Sequence, residues 1–337
     1  MGRPRVAALL AAALCVAACA SSAVARDGVP DKKHELARHG ARLDARKARP
    51  DGAAHRFGII GHSFAVPGDT RFKKALADTN DSSLAFVVVT GIKGVQEPCG
   101  DKLYRERREL LERARRPVIV LPAGSDWTEC RNTAGRTNAA ERLNRMRELF
   151  HGEPESLGAK KLPLTRLSTS PRFRSYAENA HWTVDRVMYA TVNLPANNNH
   201  YLAAAGRNSE YEDRQVATRF WLNRLFTLAR RDKVDAIVLF SEGDLKPLAE
   251  PTGLRSLLRR APATFDGFAS ARKQVQALAQ RFGGKVLLVD SAALPKNGHP
   301  AIEWRENVGH LSVGGEAVEV DVRPGEKNLF RLKEAGE

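Results

Sequence analysis

Six side chains able to move a proton or hold a cation fall at or just past the ends of apolar runs: His62, Ser125, Asp126, His200, Glu242 and Asp290. Groups of these types, delivered from consecutive strand ends into one cleft, are what a hard divalent cation needs. A second chemistry draws on the same set, with Ser125 as nucleophile and His62 as its base, although no Gly-x-Ser-x-Gly elbow presents the serine. The plainer reading is structural: His62 and His200 as loop histidines, Asp126 capping a helix or turn, Asp290 solvated or paired with an arginine. Trp127, Trp182 and Trp221 read as core or cleft-wall residues. Asn197, Asn198 and Asn199 read as turn formers, or as donors to a bound oxyanion. No Gly-rich phosphate loop or dinucleotide fingerprint is present.

The elements that must position these residues follow from periodicity. Short apolar runs at Arg56–Gly61, Leu84–Val89 and Val118–Leu121 read as buried strands, the first and third ending in loops that carry a candidate. Between them, Arg71–Asp78 and Asp101–Arg116 have helical spacing. Ala139, Leu143, Met146 and Phe150 mark one face of an amphipathic helix. Residues 151–178 read as irregular. Further strands are expected at Val187–Leu194, Ala236–Phe240 and Lys285–Val289, with helices at Glu210–Arg231 and Ala269–Phe282. Ala317–Val322 alternates like a strand exposed on one face. Strand–helix alternation of this kind implies an α/β fold built on parallel strands with right-handed crossovers.

Several of these loops share a frame with a known family. Pro122-Ala-Gly-Ser-Asp-Trp-Thr-Glu-Cys130 resembles a stretch of the secreted bacterial calcineurin-like metallophosphoesterases, Pro-Gly-Asp-Asn-Glu-Trp-Thr-Asp-Cys, in which the Asn is a metal ligand. Gly58-Ile-Ile-Gly-His-Ser63, Val87-Val-Val-Thr-Gly-Ile-Lys93, Glu97-Pro-Cys-Gly-Asp101, Glu178-Asn-Ala-His-Trp182, Asn193-Leu-Pro-Ala-Asn-Asn-Asn199 and Val286-Leu-Leu-Val-Asp-Ser291 extend the resemblance over most of residues 57–330. It implies a sandwich of mixed sheets flanked by helices, with paired cations in a cleft at the strand ends. The ligand positions, however, are altered. His62 stands for an expected Asp, the second-strand Asp falls on Ile92, and Ser125 replaces the Asn. Ser241-Glu242 stands where a His or a polar substitute is expected, and Asp290-Ser-Ala-Ala-Leu294 replaces a His-Gly-Asp-Thr-His frame. Loss of these ligands should abolish a two-metal centre. The expectation is therefore a metallophosphoesterase-like binding or interaction module, a pseudoenzyme with no cofactor. The alternative is a phosphoesterase or other hydrolase whose rearranged site, drawn from His62, Ser125, Asp126, His200, Glu242 and Asp290, holds a divalent metal or works without one.

The amino terminus points to export. Arg3 and Arg5, an apolar stretch Val6–Ala18 and Ala23-Val-Ala25 form a leader over residues 1–25, too short in its apolar part to span a membrane. Val16-Ala-Ala-Cys19 also fits a lipobox, in which Cys19 would be acylated. Residues 26–54 read as a flexible basic arm, and 55–332 as the folded domain. A soluble mature chain keeps Cys99 and Cys130, and in an oxidising compartment these are most simply a disulfide. A net charge of +15 and a pI near 10 favour an anionic envelope component or a phosphate-containing ligand, or reflect only a diffuse arginine-rich surface. No aromatic-interleaved basic run supports specific nucleic-acid recognition.

Overall fold

The computed structural model describes residues 52–64, 68–203, 206, 208–246 and 265–333. The leader, the Cys19 lipobox and the arm up to residue 51 lie outside the described residues. Among the described residues, two mixed sheets face each other and helices cover their outer sides, so the chain is an α/β sandwich.

The first sheet runs β12 (Phe330–Leu332), β11 (Ala317–Val322), β1 (His55–Ile60), β2 (Val87–Thr90), β3 (Val118–Leu121). Its β1, β2 and β3 are parallel, while β11 returns antiparallel to β1. The second runs β4 (Thr165–Arg166), β5 (Ala180–Val184), β6 (Val187–Thr191), β7 (Ala236–Phe240), β8 (Lys285–Asp290), β10 (Val308–Ser312), β9 (Glu303–Arg305). Here β6, β7, β8 and β10 are parallel and the outer strands antiparallel. The parallel ends therefore all release their loops at one edge of each sheet.

Strand residues are buried on both faces, which is why these runs are almost continuously apolar rather than alternating. Phe57, Ile59, Val88, Ile119 and Leu121 point inward against Tyr189, Val238, Phe240, Leu287 and Val289 of the facing sheet. Their neighbours Ile60, Val87, Val89 and Val120 point outward under α1 (Thr70–Asp81), α2 (Asp101–Glu112) and α4 (Ala139–Phe150). On the opposite side Met188, Ile237, Leu239 and Leu288 lie under α5 (Ser209–Arg231) and α6 (Ala269–Gln280). A ring stack joins the sheets. Phe57 lies parallel to Phe86 at 5.4 Å, Phe86 meets Tyr189 edge-on at 4.7 Å, and Trp182 stacks on Tyr189 at 5.9 Å and on Phe240 at 6.2 Å. Each such pair adds about 0.5–1.5 kcal/mol beyond the area it buries.

Several boundaries differ from the sequence expectation. The helix expected to reach Arg116 ends at Glu112, with Arg113 as its C-cap, and Pro117 keeps only Arg116 out of helical backbone. The strand expected over Val187–Leu194 ends at Thr191, where the chain leaves for the Pro195 loop. Strands β5, β9, β10 and β12 were not expected. The β5–β6 turn passes through Asp185 at φ 50°, and β10 contains Gly309, whose bare face receives the Trp304 ring. Residues 151–178 are not wholly irregular: they hold β4 and 3-10 turns at Leu167–Thr169 and Pro171–Phe173. Cys99 and Cys130 form a disulfide across a separation of 31 residues, tying the loop after β2 to the loop after β3. No helix among the described residues is long and apolar enough to cross a membrane.

Candidate functional site

The loop leaving β3 is the hub of the site. Leu121 ends the strand, Ala123 is extended, and Gly124–Trp127 makes a single helical turn, α3, with all of its residues buried. Asp126 holds this turn from within. One carboxylate oxygen accepts the Ala123 N–H at 2.8 Å, while the other accepts Ile92 N–H at 2.9 Å and Lys93 N–H at 3.2 Å. Burial pushes the Asp126 carboxyl up from the usual range, against the pull of those N–H donors and of His62 and Lys93. Asp126 thus caps a turn and at the same time joins the β2 and β3 loops.

His62 and Ser125 do meet. His62 Nε2 lies 2.7 Å from Ser125 Oγ, and Ser125 Oγ donates to the Lys93 carbonyl at 2.8 Å. A hydroxyl has one proton, so in this arrangement the imidazole N–H is the donor to Oγ rather than the acceptor from it. Lys93 lies alongside, fully buried, its ammonium donating to the Ser125 carbonyl at 2.7 Å. Burial pulls the Lys93 pKa down, opposed by Asp126 and Glu97. The residue of the second-strand loop that faces this pair is Gly91. A Cβ there would sit 2.7 Å from His62 Cδ2, whereas the Ile92 side chain is packed in the core under α1, α2 and α4.

Glu242, just past β7, brings in the second sheet. Its carboxylate accepts both Gly124 N–H and Ala196 N–H at 2.7 Å. Burial raises its pKa to about 7, the N–H donors pulling the other way. His62, Ser125, Asp126 and Glu242 therefore gather around α3.

His200 is turned aside. Its ring meets Trp127 edge-on at 4.8 Å and borders a groove of about 1000 Å³ lined by residues including Glu129, Arg131, Arg136, Asn138 and Asn197. The asparagine run proves to be turn-forming. Asn198, Asn199 and His200 have φ of 52°, 55° and 52°, a left-handed conformation that asparagine tolerates. Asn199 also accepts from Arg214, which is fully buried on α5. Beneath, Arg147 forms a two-pronged pair with buried Glu178 at 2.7 and 2.8 Å, and Asn193 Nδ2 donates to Glu178 at 2.9 Å. The Glu178 and Asn193 frames thus support the rim from behind rather than form it.

Asp290 is neither solvated nor paired with an arginine. Its side chain is 1% exposed, with one oxygen 2.7 Å from His310 Nε2 and the other accepting from Ser312 Oγ at 2.8 Å and Ala292 N–H at 3.0 Å. Asp244 lies 3.4 Å from the same Nε2. Sequence reading passed over both His310 and Asp244. His310 sits in the short, Gly-interrupted β10, and Asp244 follows Glu242 in a loop. Burial alone would lower the His310 pKa, but its hydrogen bonds to Asp244 and Asp290 outweigh that and lift it to about 9.

The donors around α3 do not suit paired cations. Asp126 and Glu242 are engaged by backbone N–H groups, His62 is engaged by Ser125, and a buried ammonium stands among them. A two-cation centre needs carboxylates free to bridge, and it repels a neighbouring cation. The resemblance to the metallophosphoesterases rests on the loop frames and the layered fold alone: compared with protein-family models and with curated proteins, the chain matches none.

Proposed function

We propose that the chain is an exported binding module with a metallophosphoesterase-like sandwich, in which the catalytic two-metal cleft has been replaced by an internally bonded plug. The observation that carries this reading is the Lys93–Ser125–His62 chain of contacts, in which an ammonium and a serine stand among the loops where the metallophosphoesterases that the chain resembles would hold cations. The Glu178–Asn193–Arg214 support beneath agrees with it, since the scaffold is kept while the rim is changed. The ligand would seat in the adjoining groove. Its asparagines and the exposed Arg131 and Arg136 offer donors to an oxygen-rich ligand, such as a phosphate-containing or anionic envelope component, while Glu129, Glu141 and Glu210 on the same walls restrict where the ligand's negative charge would sit. The test is metal analysis after loading the purified protein with Mn²⁺, Fe²⁺ and Zn²⁺, together with assay on phosphomono- and phosphodiesters. Absence of turnover supports the reading; about two ions per chain with diesterase activity overturns it.

One observation favours a second reading. The 2.7 Å His62–Ser125 contact is short enough for proton transfer once the imidazole carries its proton on Nδ1 and the hydroxyl rotates from the Lys93 carbonyl towards the free Nε2 lone pair, which would make Ser125 a nucleophile in a metal-free hydrolase. That reading requires a measurable turnover that His62→Ala and Ser125→Ala each abolish.

A further inference from the structure

We infer that Asp244, Asp290 and His310 form a mononuclear site for a first-row divalent cation, separate from the His62–Ser125 plug. Asp244 and His310 lie outside every loop frame that carries the family resemblance. Asp290 ends β8, His310 is the middle residue of β10 and Asp244 lies in the loop that follows β7, three strands that are neighbours in the second sheet. One donor atom from each lies within 4.8 Å of the others.

The spacing suits a shared ion. A tetrahedral cation bound at about 2.0–2.1 Å by imidazole and carboxylate keeps its donors about 3.3 Å apart. The observed separations from His310 Nε2 are 2.7 Å to Asp290 and 3.4 Å to Asp244, so small movements admit the ion. The carboxylate is also oriented in advance. Ser312 Oγ and Ala292 N–H both hold one oxygen of Asp290 and leave the other aimed at Nε2, the outer support that metal-ligating carboxylates usually have. Asp290 and His310 are largely buried, whereas the Asp244 side chain is 36% exposed, which gives an ion a route from solvent.

On binding, Nε2 releases its proton to solvent and donates its lone pair. Three protein ligands leave a fourth position for water or a ligand group. One imidazole and two carboxylates select a borderline cation over Ca²⁺, with Zn²⁺ bound more tightly than Mn²⁺. Without an ion, the same atoms form an imidazolium held between two carboxylates, and the experiment separates the two states.

Chelator-stripped protein is titrated with Zn²⁺, and separately with Mn²⁺ and Ca²⁺, by calorimetry and by competition with a chromogenic chelator. The expected result is one Zn²⁺ per chain with a micromolar or tighter Kd, weakened at least 100-fold by His310→Gln and at least 10-fold by Asp244→Asn, and unchanged in His62→Ala. Asp244→Asn alters the exposed member, so its circular dichroism should match that of the parent even if His310→Gln fails to fold. The inference is overturned by no binding below 100 µM, by Ca²⁺ binding more tightly than Zn²⁺, by undiminished binding in Asp244→Asn, or by loss of binding in His62→Ala. It stands apart from the binding-module reading, which is decided by turnover on phosphoesters and by a second bound ion rather than by this site.

Discussion

His151 offers a direct test of how the α4 side of the site is held. It caps the carboxyl end of α4, is 2% exposed, and its Nε2 finds no hydrogen-bond partner among the described residues. Burial, reinforced by Arg166 and Arg147 and opposed by Glu178, lowers its pKa from 6.5 to about 3. The folded protein therefore keeps this imidazole neutral, while the unfolded chain takes up a proton below pH 6.5. The associated stability is complete above pH 6.5 and drains away as the pH falls towards 3. The slope is about 1.4 kcal/mol per pH unit, so about 2.7 kcal/mol is lost by pH 4.5. For a domain of this size that corresponds to about 5–10 °C in Tm. Urea unfolding at pH 7.5, 6.5, 5.5 and 4.5 should be compared between the parent and His151→Gln, with His151→Phe as an apolar control. Other titrating groups act on all three proteins, so only the difference in slope reports on His151. Parallel pH profiles would refute the reasoning.

Two further outcomes follow from contacts at the site. Reducing the Cys99–Cys130 disulfide, or replacing both cysteines by alanine, should lower stability by about 3–4 kcal/mol, as expected for closing a loop of about 31 residues; urea midpoints that do not move on adding reductant would contradict it. Asp126→Asn replaces one acceptor oxygen by a donor, leaving at least one of the Ala123, Ile92 and Lys93 N–H groups unpaired, at a cost of about 1–3 kcal/mol. Hydrogen exchange at those amides should accelerate, and unchanged protection would exclude the capping role.

The strands were easy to read where both faces are buried. Val87–Thr90 and Ala236–Phe240 have no polar interruption, and α4 and α5 show unbroken helical spacing. The site was less legible, for two reasons. Which neighbour of a loop residue faces the cleft depends on a single backbone dihedral. Sequence placed Ile92 there, but Gly91 at φ 73° turns its own open face towards His62 and sends Ile92 into the core. The other reason is pairing across the chain. Asp290 gives no sign of a partner 20 residues on, because His310 lies in a five-residue strand, directly after Gly309. Likewise nothing in the frames of Glu178 and Asn193 shows that the two side chains bond to each other and that Arg147 holds Glu178 from α4.

The ring stack of Phe57, Phe86, Trp182, Tyr189 and Phe240 fixes the gap between the sheets without involving any side chain of the loops at their edge. Interior and edge are in this sense mechanically decoupled. Mutations can accumulate at His62, Gly91 or Ser125 without loosening the ring stack, so such a chain is free to drift from one chemistry to another on an unchanged frame.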